Sequence, residues 1–170
     1  PSKFVALNEV DESADIFAQL YVPRLGENWT RLVAEGTRWH PALNKIGVVH
    51  YRNTAMPDEV GNFAVAAHRG GFGGAFKEIH RLQEGDQVYL KTRDYWFTYK
   101  YLQTKIVQPT ATGVIDPVPE GLDGAVQGGR YMTFTSCTPI FVNTERIIVW
   151  FELVSQSTIA PVELESGEGN

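Results

Sequence analysis

Tyr131-Met-Thr-Phe-Thr-Ser-Cys-Thr-Pro139, followed by Arg146-Ile-Ile-Val-Trp-Phe-Glu-Leu153, reads as two β-strands joined by a short connection. Both stretches are rich in β-branched and aromatic residues, which favour a pleated, half-buried surface. The strands are expected over Tyr131–Ser136 and Arg146–Leu153. Pro139 stops the first of them just after Cys137, because proline cannot donate to a ladder. Thr138 to Glu145, with Pro139 and Asn143, makes the connection. When the two strands pair as neighbours, Cys137 and Arg146, nine residues apart, lie at the same end of the sheet.

Working outward, the rest of the chain repeats this period-two character. Ile16, Ala18, Leu20 and Val22 alternate with Phe17, Gln19 and Tyr21 before Pro23 interrupts. Phe63-Ala-Val-Ala-Ala67 is a short apolar run ending at His68. Gln87 to Lys91 follows the turn signal Glu84-Gly-Asp86, and Trp96 to Val107 reads as a long strand after a hairpin turn at Thr92-Arg-Asp94. Helix signals are few. Phe76 to Leu82 is expected to make about two turns, and Trp29 to Glu35 a short helix. Seven or eight short strands separated by turns predict an all-β barrel or sandwich. The segment from Pro161, carrying Glu163, Glu165 and Glu168, reads as a solvated acidic tail that frays, leaving one domain over residues 1–160 and a flexible tail over 161–170.

Size and charge narrow the function. One domain of 170 residues buries a core without disulfide or metal staples. A net charge of −5, with the basic residues scattered, argues against a nucleic-acid partner. No apolar run reaches the roughly 18 residues of a membrane span. The chain starts at Pro1 without a methionine, as an excised ectodomain would. One cysteine excludes an internal disulfide, and one cysteine with four scattered histidines does not make a zinc site.

His68, Cys137 and Arg146 are the residues with chemistry to offer. Taken singly each has a plain structural reading: free cysteine is among the most buried residue types, a lone histidine is more often a packed core or rim residue, and a lone arginine sits at a surface. Together they suit acyl transfer through a thioester. The thiolate is the nucleophile, and nearby cations favour it. An imidazole exchanges a proton with the thiol and then protonates a leaving amine. A guanidinium stays protonated and donates hydrogen bonds to a substrate or an oxyanion. His40, His50 and His80 have no comparable setting and read as structural or exposed. His68-Arg-Gly-Gly-Phe-Gly-Gly74 is glycine-rich but lacks the Gly-Lys-Ser/Thr ending of a phosphate loop.

These motifs resemble the sortase family. Gly61-Asn-Phe-Ala-Val-Ala-Ala-His68-Arg69 is similar to its Gly-Asn-x-x-x-Ala-Gly-His-Arg, Thr133-Phe-Thr-Ser-Cys137-Thr-Pro139 to its Thr-Leu-x-Thr-Cys-x-Pro, and Arg146-Ile-Ile-Val149 to its Arg-Leu-Ile-Val. Thr54-Ala-Met-Pro-Asp-Glu-Val-Gly61 and Phe76 through Asp86 match further family segments, so the likeness runs from about residue 16 to residue 154. Ala67, Phe134 and Ser136 depart from the pattern by small or similar exchanges. Tyr21-Val-Pro-Arg-Leu-Gly26 and His50-Tyr51 look most like class E, the housekeeping sortases of high-GC Gram-positive bacteria.

The resemblance implies a closed β-barrel of about eight strands with one or two short helices, and chemistry that needs no cofactor. It implies Cys137 as nucleophile, His68 as acid/base and Arg146 as substrate or oxyanion clamp, with Tyr51, Thr135 and Ser136 as substrate-binding residues. A packed barrel tyrosine is the other reading of Tyr51. The implied substrates are surface proteins with a C-terminal Leu-x-x-Thr-Gly signal, Leu-Ala-x-Thr-Gly for class E. The implied acceptor is an amine of a peptidoglycan precursor or a pilin lysine. The implied setting is a monomer on the extracellular face of the cell membrane, held by an N-terminal anchor outside this chain. Two rivals fit less well. A two-barrel cysteine protease wants a Gly-x-Cys-Gly loop that Thr135-Ser-Cys-Thr138 does not supply, and a non-catalytic peptide-binding barrel has no need of the three residues together.

Overall fold

A computed structural model describes residues 16–36, 47–70 and 74–164. Its strands are β1 (Ile16–Tyr21), β2 (Thr30–Glu35), β3 (Gly47–His50), β4 (Gly61–Ala67), β5 (Gln87–Thr92), β6 (Trp96–Val107), β7 (Arg130–Thr138) and β8 (Glu145–Ser157). They close into one barrel in the order β1-β2-β3-β4-β7-β8-β6-β5, with β5 returning to β1. The choice left open between barrel and sandwich falls to the barrel, as the family resemblance implies. Two pairs, β2 with β3 and β4 with β7, are parallel; the rest are antiparallel.

Among the described residues, alternation along the strands builds two apolar clusters. Inward residues such as Leu20, Val33, Val48, Phe63, Val65, Phe97, Tyr99, Met132, Phe134, Val149 and Phe151 fill the barrel. Outward residues Tyr131, Ile148 and Trp150 pack beneath the long β6–β7 connection through Val114 and Leu122. That connection is tied down by polar contacts. Asn62, 1% exposed, donates through Nδ2 to the carbonyls of Asp116 (3.0 Å) and Val114 (3.4 Å). Its Oδ1 accepts the Thr133 hydroxyl at 2.7 Å. The Trp150 indole N–H donates to the Val114 carbonyl at 3.1 Å.

Two helix expectations are corrected. Trp29–Glu35 is no helix: Thr30–Glu35 is β2, paired on both edges by β1 and β3. Barrel closure requires those two edges to be filled, and that tertiary demand overrides weak local propensity. Phe76–Leu82 forms turns and a 3₁₀ segment at Ile79–Arg81 rather than two α-turns. Phe76, Ile79 and Leu82 are buried, and their spacing of three residues fits the tighter winding. Two more short 3₁₀ segments, Pro23–Leu25 and Thr112–Ile115, complete the turns. β3 was not anticipated, and β8 runs on to Ser157. The expected frayed tail falls largely on residues 165–170, outside the described residues; residues 162–164 make one helical turn.

Arg24 and Asp86 form a two-point pair, Nε and Nη2 to the carboxylate at 2.9 and 2.7 Å. The Arg24 hydrogen bond is the main force holding the Asp86 carboxyl below its ordinary range, helped by the Gln83 N–H and opposed by partial burial. A folded-state value below the unfolded one gives stability that is present above about pH 4 and lost as pH falls through the folded value. Asp86→Asn is therefore expected to flatten the acid limb of the stability curve, measured by thermal melts between pH 2 and pH 6 on the order of the unfolded carboxyl range. Asn62→Ala leaves a buried Thr133 hydroxyl and the loop carbonyls without their partner; it is expected to cost about 1–3 kcal/mol in urea unfolding.

Candidate active site

The parallel register of β4 and β7 brings the predicted trio together. Gly61 pairs with Arg130 and each following residue with the next, up to Ala66 with Thr135. Two residues further, the same register sets His68 against Cys137. On the other side of β7, antiparallel β8 pairs Arg146 directly with Cys137. The three residues therefore form one row across three adjacent strands, which lie about 4.8 Å apart. Parity puts them on one face as well. Phe63, Val65 and Ala67, Met132 and Phe134, and Ile147 and Val149 belong to the barrel interior. His68, Cys137 and Arg146, one position off those sets, face outward. The site lies on the outer wall of the barrel near one rim.

His68, Arg69, Gly70, Cys137, Phe141 and Asn143 line a cavity of about 240 Å³. All three members of the row are partly exposed. Phe141 and Asn143 on the β7–β8 connection have positive φ, 68° and 62°, and Phe141 is 77% exposed. Its ring nevertheless reaches the opposite rim. A Cβ at Gly70 would stand 2.8 Å from Phe141 Cε1 and 3.0 Å from Ile140 Cγ2, so glycine is what lets the two loops meet two residues after His68.

Arg146 donates through Nη1 to the carbonyls of Asn143 (3.0 Å) and Glu145 (2.9 Å). Those bonds fix the side chain and leave Nε and Nη2 without a protein acceptor among the described residues, where no carboxylate pairs with it either. Arg146 lines a separate cleft, of about 140 Å³, with Tyr51, Thr135 and Ile148, walled on the far side by residues 107–115 of the β6–β7 connection. The Tyr51 hydroxyl is 2.8 Å from Thr135 Oγ1. Thr135 Oγ1 also lies 3.3 Å from the Val65 carbonyl, and either hydroxyl can donate in the Tyr51–Thr135 pair. Burial raises the Tyr51 phenol above its ordinary range, against the Thr135 hydrogen bond and the Arg146 charge, which lower it. It stays protonated at neutral pH.

Of the predicted substrate-binding residues, the fold brings Tyr51 and Thr135 to this cleft and takes Ser136 away from it. Ser136 faces inward, buried, and its hydroxyl donates to the Ala67 carbonyl. Its position beside Cys137 in the sequence is what turns it to the other face. Sequence reasoning missed Arg69. This buried cation donates to Thr138 Oγ1 (2.7 Å), the Lys77 carbonyl (3.2 Å) and His80 Nδ1 (3.0 Å), lacing the ends of β4 and β7 beneath the row. Nothing in an isolated His-Arg pair marks the arginine as buried. His80 is half exposed, His50 is buried, and His40 lies outside the described residues. Among the described residues there is no cluster of three or more potential metal ligands.

A thiol flanked on one open face by an imidazole and a guanidinium can form and resolve an acyl-enzyme. Known proteins carry the same combination of sequence and fold. The sortase domain family model matches residues 20–154. Sortase SrtE1 of Streptomyces coelicolor is 38% identical over 146 residues, which are 82% of this chain and 41% of that protein's length. The structure of sortase E from Streptomyces avermitilis superposes with a TM-score of 0.79 at 41% identity, covering 88% of this chain and 97% of that one. The crystal structure of sortase E1 from S. coelicolor with a tripeptide in the active site gives 0.82 at 34% identity, covering 88% and 96%. With the family model matched across most of its length and class E proteins among its relatives, the chain belongs to the sortase family.

Proposed function

We propose that this chain is the catalytic domain of a class E-type sortase, a cysteine transpeptidase that cuts a Leu-Ala-x-Thr-Gly signal between Thr and Gly. The observation that carries the reading is the row His68, Cys137, Arg146 across three neighbouring strands, opening beside the Tyr51–Thr135 cleft. In this reading the Cys137 thiolate attacks the Thr carbonyl carbon, and the negative charge moves to the carbonyl oxygen. The unengaged Nε and Nη2 hydrogens of Arg146 are the donors to that oxyanion or to the adjacent peptide backbone. His68, on the other flank, protonates the departing Gly amine as the C–N bond breaks. A second amine then attacks the thioester, gives up a proton to His68 and expels the thiolate.

The cleft supports the choice of signal. Its floor is the outward face of β7 and β8, and the neutral Tyr51 ring stands at its side, where a small residue two places before the threonine leaves room for it. The acceptor we assign is an amine of a peptidoglycan precursor or a pilin lysine. The setting is the extracellular face of the cell membrane, with the anchor in a segment outside this chain. No helix among the described residues is long and apolar enough to cross a membrane.

Mass spectrometry of a Leu-Ala-x-Thr-Gly peptide incubated with the protein, with and without triglycine, tests the reading. Cleavage after Thr, with an amine-dependent ligated product, is expected; product that ignores the amine would make the protein a hydrolase. Cys137→Ala is expected to abolish cleavage and thioester capture. His68→Ala is expected to lower the rate by about 10²-fold or more, as removal of an acid/base does. Arg146→Lys is expected to be poor, because a compact ammonium does not reproduce the planar fork of donors; wild-type kinetics there would remove its clamp role.

A further inference from the structure

The tyrosine at the side of the cleft is held from inside the barrel. β3 ends at His50, whose ring faces the interior, while the next residue, Tyr51, faces the outer wall, as successive strand residues do. His50 is 1% exposed. Its ring stacks on Phe63 with centroids 4.8 Å apart and meets the edge of Phe17 at 5.8 Å. Both ring nitrogens are engaged. Nδ1 lies 3.0 and 3.1 Å from the two carboxylate oxygens of Glu35, its partner across the β2–β3 pair. Nε2 lies 2.9 Å from Thr54 Oγ1 and 3.1 Å from the Ala55 carbonyl.

The protons assign the directions. Thr54 has one hydroxyl proton and gives it to the Tyr51 carbonyl at 2.8 Å. The same oxygen accepts the Ala64 N–H at 3.3 Å, which leaves one lone pair for His50. Nε2 is therefore the donor, shared between Thr54 and Ala55. The Tyr51 backbone is held on both sides: its carbonyl also accepts the Thr54 N–H, and its own N–H donates to Ala64, each at 3.0 Å. At the far end its hydroxyl reaches Thr135. A continuous chain of direct contacts runs from Glu35 to β7. Burying an imidazole against two phenyl rings carries a desolvation cost that a hydrophobic side chain would avoid, which points to a geometric rather than a stabilising role for the polar chain.

We infer that Glu35, His50 and Thr54 are positioning residues that set substrate selection by fixing the depth and tilt of the Tyr51 ring in the cleft. None of the three lines that cleft; they act through the Tyr51 backbone. The inference rests on the proposed reading of Tyr51 as the residue that meets the small side chain two places before the scissile threonine.

Thr54→Val, which removes the hydroxyl at nearly constant volume, is the main test; Thr54→Ser keeps the hydroxyl, and His50→Phe keeps the ring but neither hydrogen bond. The readouts are kcat and KM for Leu-Ala-x-Thr-Gly and Leu-Pro-x-Thr-Gly peptides, the alkylation rate of Cys137 by iodoacetamide, and the Tyr51 signal in a ¹³C-tyrosine NMR spectrum. Thr54→Val is expected to raise KM for the alanine peptide about five- to tenfold, the loss of one or two hydrogen bonds. It is expected to shift the Tyr51 signal and leave kcat and thiol alkylation within about twofold, changes too small to mark lost transition-state contacts. Thr54→Ser is expected to restore the wild-type values. A Tyr51 signal and KM that ignore Thr54→Val overturn the positioning role, whether or not His50→Phe folds. So does a parallel fall of kcat and alkylation, which marks a merely structural role. A Tyr51→Ala variant with unchanged peptide preference overturns the selection role through the reading beneath it, and the Thr54→Val ring shift tells that failure from the first.

Discussion

The parallel pairing of β4 with β7 is the constraint on which the site depends. Six successive pairs fix its register, and a slip of one residue would turn every side chain of one strand to the opposite face. His68 would then enter the barrel and leave Cys137 alone on the wall. The register is protected from both faces. Inward, Phe63, Val65, Met132 and Phe134 interlock in the barrel core. Outward, the Thr133–Asn62 hydrogen bond ties one strand to the other, and Thr135 does the same through the Val65 carbonyl. Near the rim, Ser136 reaches the Ala67 carbonyl, and Arg69 takes hold of Thr138. These hydrogen-bonding residues are thus the ones that keep His68 and Cys137 side by side.

A site on a barrel wall needs a roof to become a cleft, and the β6–β7 connection supplies it. Trp150 and Ile148 offer an apolar floor, while Asn62 and the Trp150 indole catch the backbone of the covering segment at Val114 and Asp116. The geometry of the cleft is therefore set by a few directional contacts laid over a flat apolar patch. Arg146 lines that cleft and is paired across the sheet with Cys137, which lines the neighbouring cavity.

Much of this was legible in the sequence, and the rest was hidden for physical reasons. Alternation and turn chemistry located β1 and β4 to β8, because each of those strands is long enough, or apolar enough, to show its own period. β2 was read as a short helix, and its strand state comes from two neighbours that the local sequence does not reveal. β3 has four residues, too few for a period to appear. The row of three was foreseen from spacing and motif, since Cys137 and Arg146 end and begin adjoining strands. Ser136 was read as substrate-binding from the family resemblance, although strand parity turns it away from its neighbour Cys137. Arg69 and His50 could not be picked out, because what distinguishes them is burial among partners drawn from distant parts of the chain.

The two apolar clusters share no side chain: one fills the barrel, the other lies under the roof, and the sheet itself is the partition between them. This separation has an evolutionary consequence. Substitutions in the covering segment can alter the shape of the cleft without disturbing the packing that holds the barrel, so the cleft can drift, or be redesigned by exchanging that segment, while the scaffold and the row His68, Cys137, Arg146 are inherited unchanged.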